Sequence, residues 1–308
     1  MAYPVVMFVY ARPEHTQRTI EALSQNYLAK ETDLYIYADA PKNDQVRSKV
    51  EKVREIVDSV SSQNRFKSVH VIKALKNKGL ARSVIDGVTE VLIRQKKVIV
   101  LEDDLLTSRD FLLYMNTYLD FYEHDKDIWS ISGYTFNLKI PKGYSYETYL
   151  SYRGCSWGWA TWLDRWEMID WDVTDYPNFK SSTHLRRQFN RGGNDLSVVL
   201  DMQMSGEIDS WAIRWVYSQF KNRMLTVYPI HSKVVNIGLD GTGTHNSLLT
   251  KYVSSRYKTS FHHESKVFEL EKPPLNDQIV RNFRKTYGSS LTIMLKRYVK
   301  KMLKKCAS

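Results

Sequence analysis

The apolar run Val98-Ile99-Val100-Leu101 leads without a break into three carboxylates, Glu102, Asp103 and Asp104. A short β-branched run bounded by polar residues predicts a strand covered on both faces, the kind that parallel sheets contain. In open sheets of that type, ligands gather beyond the carboxyl ends of the strands. Three acids placed there repel one another and lose water, so a cation is expected among them. Carboxylate oxygens suit Mg2+ or Mn2+, which usually arrive with a substrate's phosphates. The plainer alternative is a solvated acidic turn.

Strand and helix patterns alternate on either side of this run. Val5 to Tyr10 reads as a buried first strand, and Pro13 fits the opening of a helix with Ile20, Leu23 and Tyr27 on one face. Leu34 to Ala38 predicts a second strand ending at Asp39, residues 44–60 a polar helix, and Ser68 to Ile72 a third strand. Leu80, Val84, Val88, Val91 and Leu92 keep a helical period, as do Phe111, Met115, Leu119 and Tyr122. Such alternation means βαβ units around a mostly parallel sheet, an α/β fold. The 308 residues, 43% of them hydrophobic, suffice for one large domain or two smaller ones. The second half differs: five tryptophans, Trp157, Trp159, Trp162, Trp166 and Trp171, crowd together, and Leu225 to Ile237 is strand-rich. Large aromatics mostly supply core area, with Trp157 or Trp159 the better candidates to stack on a sugar face.

Charge and cysteine content narrow the classes further. The net +11 is concentrated, because residues 281–308 carry nine Lys or Arg and no acid. Without them 36 basic residues face 34 acidic ones, so the body is near neutral and nucleic-acid binding is disfavoured. In the tail Leu291, Leu295, Tyr298, Met302 and Leu303 form a stripe flanked by Lys296, Arg297, Lys300, Lys301, Lys304 and Lys305. A basic amphipathic helix of this sort suits an anionic membrane surface, the alternatives being a solvated or partner-binding helix. Cys155 and Cys306 lie far apart, so neither a disulfide framework nor a zinc site is expected, and a reducing cytosol is. Val5 to Tyr10 is too short for a signal peptide, and no run reaches the roughly 18 apolar residues of a membrane span.

Several segments in order now resemble a known family. These are Val9 to Arg12, Asp39, Leu80-Ala81-Arg82, Val100 to Leu105 with Asp110-Phe111, Asp127-Ile128-Trp129, Gly158-Trp159, Asp209-Ser210-Trp211 and His245. Across roughly residues 4–250 the chain resembles a glycosyltransferase of the GT-A fold, specifically the N-acetylglucosaminyltransferase I family and its bacterial relatives. The resemblance implies a Rossmann-like, mostly parallel sheet flanked by helices, with a nucleotide-sugar half of about 1–135 and an acceptor half of about 136–260. Residues 261–308 would then be a linker and the basic tail. By the same resemblance Asp104 would be the direct ligand of Mn2+ or Mg2+, and Glu102 and Asp103 would hold hydroxyls of the donor's sugar and ribose. Arg12, Asp39 and Arg82 would line the nucleotide pocket, Asp39 accepting a hydrogen bond from a uracil ring nitrogen. Asp209 would be the base. The chain departs from the family enzyme at Ser83, where that enzyme places a histidine against the base.

Physical chemistry gives these roles content. A departing nucleoside diphosphate builds negative charge that a divalent cation stabilises without proton transfer, and Lys78, Arg82 or His245 would add positive charge. One carboxylate suffices to deprotonate the acceptor hydroxyl in a single inverting displacement. Asp209 is expected to be desolvated by Ile208, Trp211 and Trp215, with Asp195 and Glu207 as fallbacks. His245 follows Gly241-Thr242-Gly243-Thr244, a stretch suited to closing over a diphosphate, whereas His15, His262 and His263 read as surface residues. The expected activity is transfer of a sugar from a nucleotide-diphosphate donor, UDP by the resemblance, to a glycan or lipid-linked glycan in bacterial surface polysaccharide synthesis, at the inner face of the cell membrane. The rivals are a sugar-phosphate nucleotidyltransferase, which lacks its glycine-rich loop here, and a catalytically inactive glycan- or membrane-binding protein.

Overall fold

The computed structural model describes residues 2–238 and 264–287. Ten strands and ten α-helices follow one another in these segments. In the first part come β1 (Val5–Val9), α1 (Pro13–Ser24), β2 (Asp33–Ala38), α2 (Asp44–Val60), β3 (Ser68–Lys73), α3 (Leu80–Gln95) and β4 (Lys97–Glu102). Then follow β5 (Leu105–Thr107), α4 (Phe111–Phe121), β6 (Ile128–Ser132), β7 (Thr148–Ser151) and β8 (Trp159–Trp162). Short helices α5 (Leu163–Trp166), α6 (Tyr176–Ser181), α7 (Thr183–Phe189) and α8 (Leu196–Met204) precede α9 (Trp211–Lys221). The described chain closes with β9 (Leu225–Pro229), β10 (Val234–Asn236) and α10 (Asp277–Thr286).

Local chemistry sets these boundaries. Pro13 occupies the first turn of α1 with Glu14 beside it, where a missing N–H costs nothing and an acid meets the positive helix end. Val50, Val53, Val57 and Val60 recur at three and four residues, so α2 buries one stripe and leaves its polar face in water. Ser210 caps α9 by accepting from the Ile213 N–H, and Asn276 caps α10 through Gln278 and Ile279.

Eight strands form one sheet in the order β3-β2-β1-β4-β8-β6-β9-β7, and β5 pairs separately with β10. The pairs β3-β2, β2-β1, β1-β4 and β6-β9 are parallel, while β4-β8, β8-β6 and β9-β7 are antiparallel. The α/β class and the mostly parallel, helix-flanked sheet are therefore as expected. The central strands β1 and β4 are buried on both faces, Val5 to Val9 throughout, whereas β2 buries alternate residues and the edge strand β3 is partly exposed. Helices α1, α2 and α4 cover one face, with Ile20, Val53, Val57 and Met115 in that core layer. Helices α3 and α9 cover the other, where Val84, Val88, Trp211 and Trp215 pack. The chain winds outward from β1 to β2 and β3, then returns to place β4 on the opposite side of β1. That reversal makes a topological switch point beyond the carboxyl ends of β1 and β4, the place where open α/β sheets form their ligand crevices.

The segment after residue 264 is built into this body rather than strung from it. Asp110, fully buried, holds Lys233 at 2.5 Å and accepts from the Ser265 N–H at 2.9 Å. Phe268 meets the rings of Tyr114 and Tyr118, and Lys272 bridges Asp125 and Asp127. From α10, Phe283 sits among Phe136, Tyr149 and Tyr228. Arg281, Arg284 and Lys285 thus belong to a docked helix, and the predicted apolar stripe from Leu291 onward lies outside the described residues. No helix among the described residues is long and apolar enough to cross a membrane.

Candidate functional site

Glu102 ends β4, level with Phe8 of β1, and Asp103 and Asp104 continue past the sheet edge into the crevice. Strand alternation sends the three carboxylates different ways. Glu102 lies on the face shared with Phe8 and α3. Asp103 turns under the end of β1, where one carboxylate oxygen accepts from the Tyr10 N–H at 3.1 Å and its carbonyl accepts from Thr19 at 2.9 Å. Asp104 meets Arg12, whose guanidinium donates to Oδ2 at 2.6 Å.

The electrostatics follow from the packing. Burial and then repulsion from Asp104 and Asp103 push Glu102 up to about 8. Burial and the Asp104 charge push Asp103 up to about 7, against the pull of Arg12 and the Tyr10 amide. Asp104 is also raised by burial, with Arg12 and then His15 drawing it back. His15, in the first turn of α1, is half-buried and close enough for its charge to be felt at Asp104. Crowding of this kind is relieved either by bound protons, as the raised Glu102 and Asp103 show, or by a cation that takes their place.

The space at Asp104 is bounded by the strand that pairs with β5. The Ile237 N–H donates to the Asp104 carbonyl at 2.9 Å, which fixes the chain directly over the acid. A side-chain carbon at Gly238 would lie 2.0 Å from Asp104 Oδ2 and 2.6 Å from Arg12. Glycine lets the backbone pass in contact with the ends of Asp104 and Arg12, and nothing in the local sequence marked this position. Among the described residues no three or more His, Cys, Asp or Glu side chains converge as a metal cage. The donor chemistry still fits a hard divalent cation, because Mg2+-type ions take one or two protein carboxylates and complete their shell with substrate phosphates and water.

Asp39 stands at the end of β2, nine-tenths buried and fully engaged. Its carboxylate accepts from the Ala40, Lys78 and Gly79 amides and from the Asn77 side chain, at 2.8–3.2 Å. It clamps the loop that leads into α3, whose cap residue Gly79 sits at φ 75°. Arg82 and Lys78 both pair with Asp86, at 2.8 and 3.0 Å. An open depression of about 690 Å³ along α1, with Arg18, Glu21, Lys30 and Arg65 in its wall, includes none of the candidate residues.

The expected burial of Asp209 is not found. Its side chain is 73% exposed, ahead of the Ser210 cap, with Arg214 at 3.3 Å. Trp211 and Trp215 point into the core instead, where they stack around Trp159 at 5.2 and 4.6 Å. Trp159 is itself 1% exposed and so cannot receive a sugar; Trp157, half-buried and edge-on to Tyr134, keeps that candidacy. Of the fallback bases, Asp195 is held bidentately by Arg153 at 2.6 and 3.0 Å, and Glu207 is an exposed partner of Ser205. His245 lies outside the described residues.

No protein-family model and no curated protein sequence matches the chain. Among solved structures, TarS 1–349 of S. aureus aligns at 15% identity and a TM-score of 0.39, covering 74% of this chain and 60% of that one. GalNAc-T7, crystallised with UDP, GalNAc and Mn2+, aligns at 12% identity and a TM-score of 0.45, covering 75% and 43%. The glycosyltransferase GlyE of Streptococcus pneumoniae TIGR4 aligns at 11% and 0.37, covering 73% and 45%. The chain thus spans well under two thirds of each of these proteins, and at such values its own residues carry the functional reading.

Proposed function

We propose that the chain is a metal-dependent, inverting glycosyltransferase of the GT-A type that moves a sugar from a UDP-sugar to a hydroxyl of a glycan acceptor. One observation carries the reading: three carboxylates follow one another at the carboxyl end of β4, beside β1, and among the described residues one guanidinium, that of Arg12, pairs with the last of them. A nucleotide diphosphate with a divalent cation supplies the missing charge and fits the crevice position.

In this reading Asp104 is the protein's ligand to the cation, and the cation supplies Lewis-acid stabilisation of the departing diphosphate. Glu102 and Asp103 accept from donor hydroxyls, a role for which anchored carboxylates at the strand end are placed. Arg12 meets the phosphates. Asp39 acts as a positioning residue, since its oxygens hold the 77–79 loop at the pocket edge. Asp209 is the base, and its exposure gives an acceptor hydroxyl direct access. The acceptor is a cell-surface or lipid-linked glycan, met at an anionic membrane to which residues 288–308 bind.

Calorimetry with UDP in the presence and absence of Mn2+ tests the donor half of this reading. Metal-dependent affinity that Asp104→Asn removes is the expected result; equal affinity with and without Mn2+ overturns it. A mass-spectrometric screen for slow hydrolysis of nucleotide sugars then identifies the donor.

A further inference from the structure

Arg12 and Asp104 form a closed pair at the one place where a cation is needed. Their side chains are 19% and 16% exposed, and the guanidinium lies 2.6 Å from Oδ2. The backbone at Gly238 roofs that same oxygen so tightly that not even a methyl group fits. Mg2+ and Mn2+ demand near-ideal geometry at about 2.0–2.1 Å from their oxygens. An oxygen already held by a guanidinium and roofed by backbone does not offer it.

Arg12 is also free to leave. It is the N-cap residue of α1: its carbonyl accepts from the Thr16 N–H at 2.9 Å, while its side chain makes no cap bond, so the guanidinium can change partner without breaking the helix start. A diphosphate offers a guanidinium a bidentate, doubly charged acceptor that one carboxylate oxygen cannot match.

We infer that Arg12 is a latch on Asp104: it holds the acid in the cation's stead until a nucleotide diphosphate draws it off, so that metal and nucleotide enter together and metal alone binds weakly. The inference rests on the donor site proposed above and adds its order of assembly. It also explains how a crowded acidic crevice stays paired in the absence of substrate.

Binding of Mn2+, followed by loss of the free-ion signal in electron paramagnetic resonance, tests the latch without any turnover. The wild-type chain is expected to bind Mn2+ weakly alone and much more tightly with UDP. Arg12→Gln is expected to bind Mn2+ alone about tenfold more tightly than wild type, because a competing charge is gone, and to gain less from UDP. Arg12→Lys, which keeps the charge but not the fork, is expected to lie between, and it decides the matter if circular dichroism finds the glutamine variant unfolded. The latch is overturned, with the donor site intact, if UDP promotes Mn2+ binding in wild type but Arg12→Gln binds the bare ion no better. It is equally overturned if wild type binds Mn2+ tightly alone at a site that Asp104→Asn destroys. If neither UDP nor Arg12→Gln brings Mn2+ to the chain, latch and donor reading fall together.

Discussion

Gly238 and Asp104 touch through space, so the smallest change at one reads out on the other. Gly238→Ala places a carbon 2.0 Å from Asp104 Oδ2 and 2.6 Å from Arg12, so the ends of both side chains must move from the positions they share, while the Ile237 N–H still donates to the Asp104 carbonyl. We expect at least a tenfold loss of Mn2+-dependent UDP affinity with little change in melting temperature, checked by calorimetry and thermal unfolding, about 1.4 kcal/mol of binding free energy. The pH dependence of stability has a definite sign. Glu102 at about 8 and Asp103 at about 7 stand above the ordinary carboxylate range near 4, so the folded chain holds more protons than the unfolded one between those values. Stability therefore falls as pH rises from about 4 to about 8. Thermal scans across that window should show the decline, a shallower slope in Glu102→Gln, and a shallower one again with Mn2+ and UDP present. A wild-type melting temperature that climbs from pH 5 to pH 8 would contradict this. For Asp209, replacement by Asn is expected to lower transfer by about 10²–10⁴-fold while UDP binding stays as it was.

At the scale of elements, what was legible in the sequence depended on whether the signal was periodic or singular. The apolar spacing of α2, and the run that becomes β4, foretold those elements because burial repeats along them. The acidic triplet was visible for the same reason: a strand pattern stops and charge begins. The Arg12 contact with Asp104 spans 92 positions, and no local pattern records it. Asp209 misled because periodicity reports which helical residues are buried and says nothing of the residue before the cap. Trp211 and Trp215 share a core-facing stripe, and Asp209 lies outside it. The docking of α10 was also hidden, since its basic residues outnumber the two apolar ones, Ile279 and Phe283, that anchor it. Phe283→Ala tests that docking. The side chain is 1% exposed among aromatic rings, so truncation should cost about 3–5 kcal/mol in urea unfolding. A cost under 1 kcal/mol would mean that the helix contributes nothing to the body.

For the whole molecule, the placement of α10 redistributes the charge that first drew attention. Of the nine basic residues after position 280, Arg281, Arg284 and Lys285 sit on a helix packed against the sheet, with Arg284 bound to Asn194. The other six, Lys296 to Lys305, lie among the apolar positions beyond residue 287. If those residues seat the chain on an anionic membrane, each basic side chain contributes about 1 kcal/mol there, and the attraction weakens within a Debye length of about 10 Å at 0.1 M salt. A chain cut after Tyr287 keeps every described contact of the body. It should retain its melting temperature and Mn2+-dependent UDP binding, yet lose sedimentation with vesicles containing phosphatidylglycerol. The full chain should sediment with those vesicles at low salt, release progressively as salt rises, and ignore vesicles of phosphatidylcholine alone. Equal sedimentation of the cut and full chains would move membrane contact to the body, whose 39 basic residues against 34 acidic ones are far less concentrated than the six of the tail.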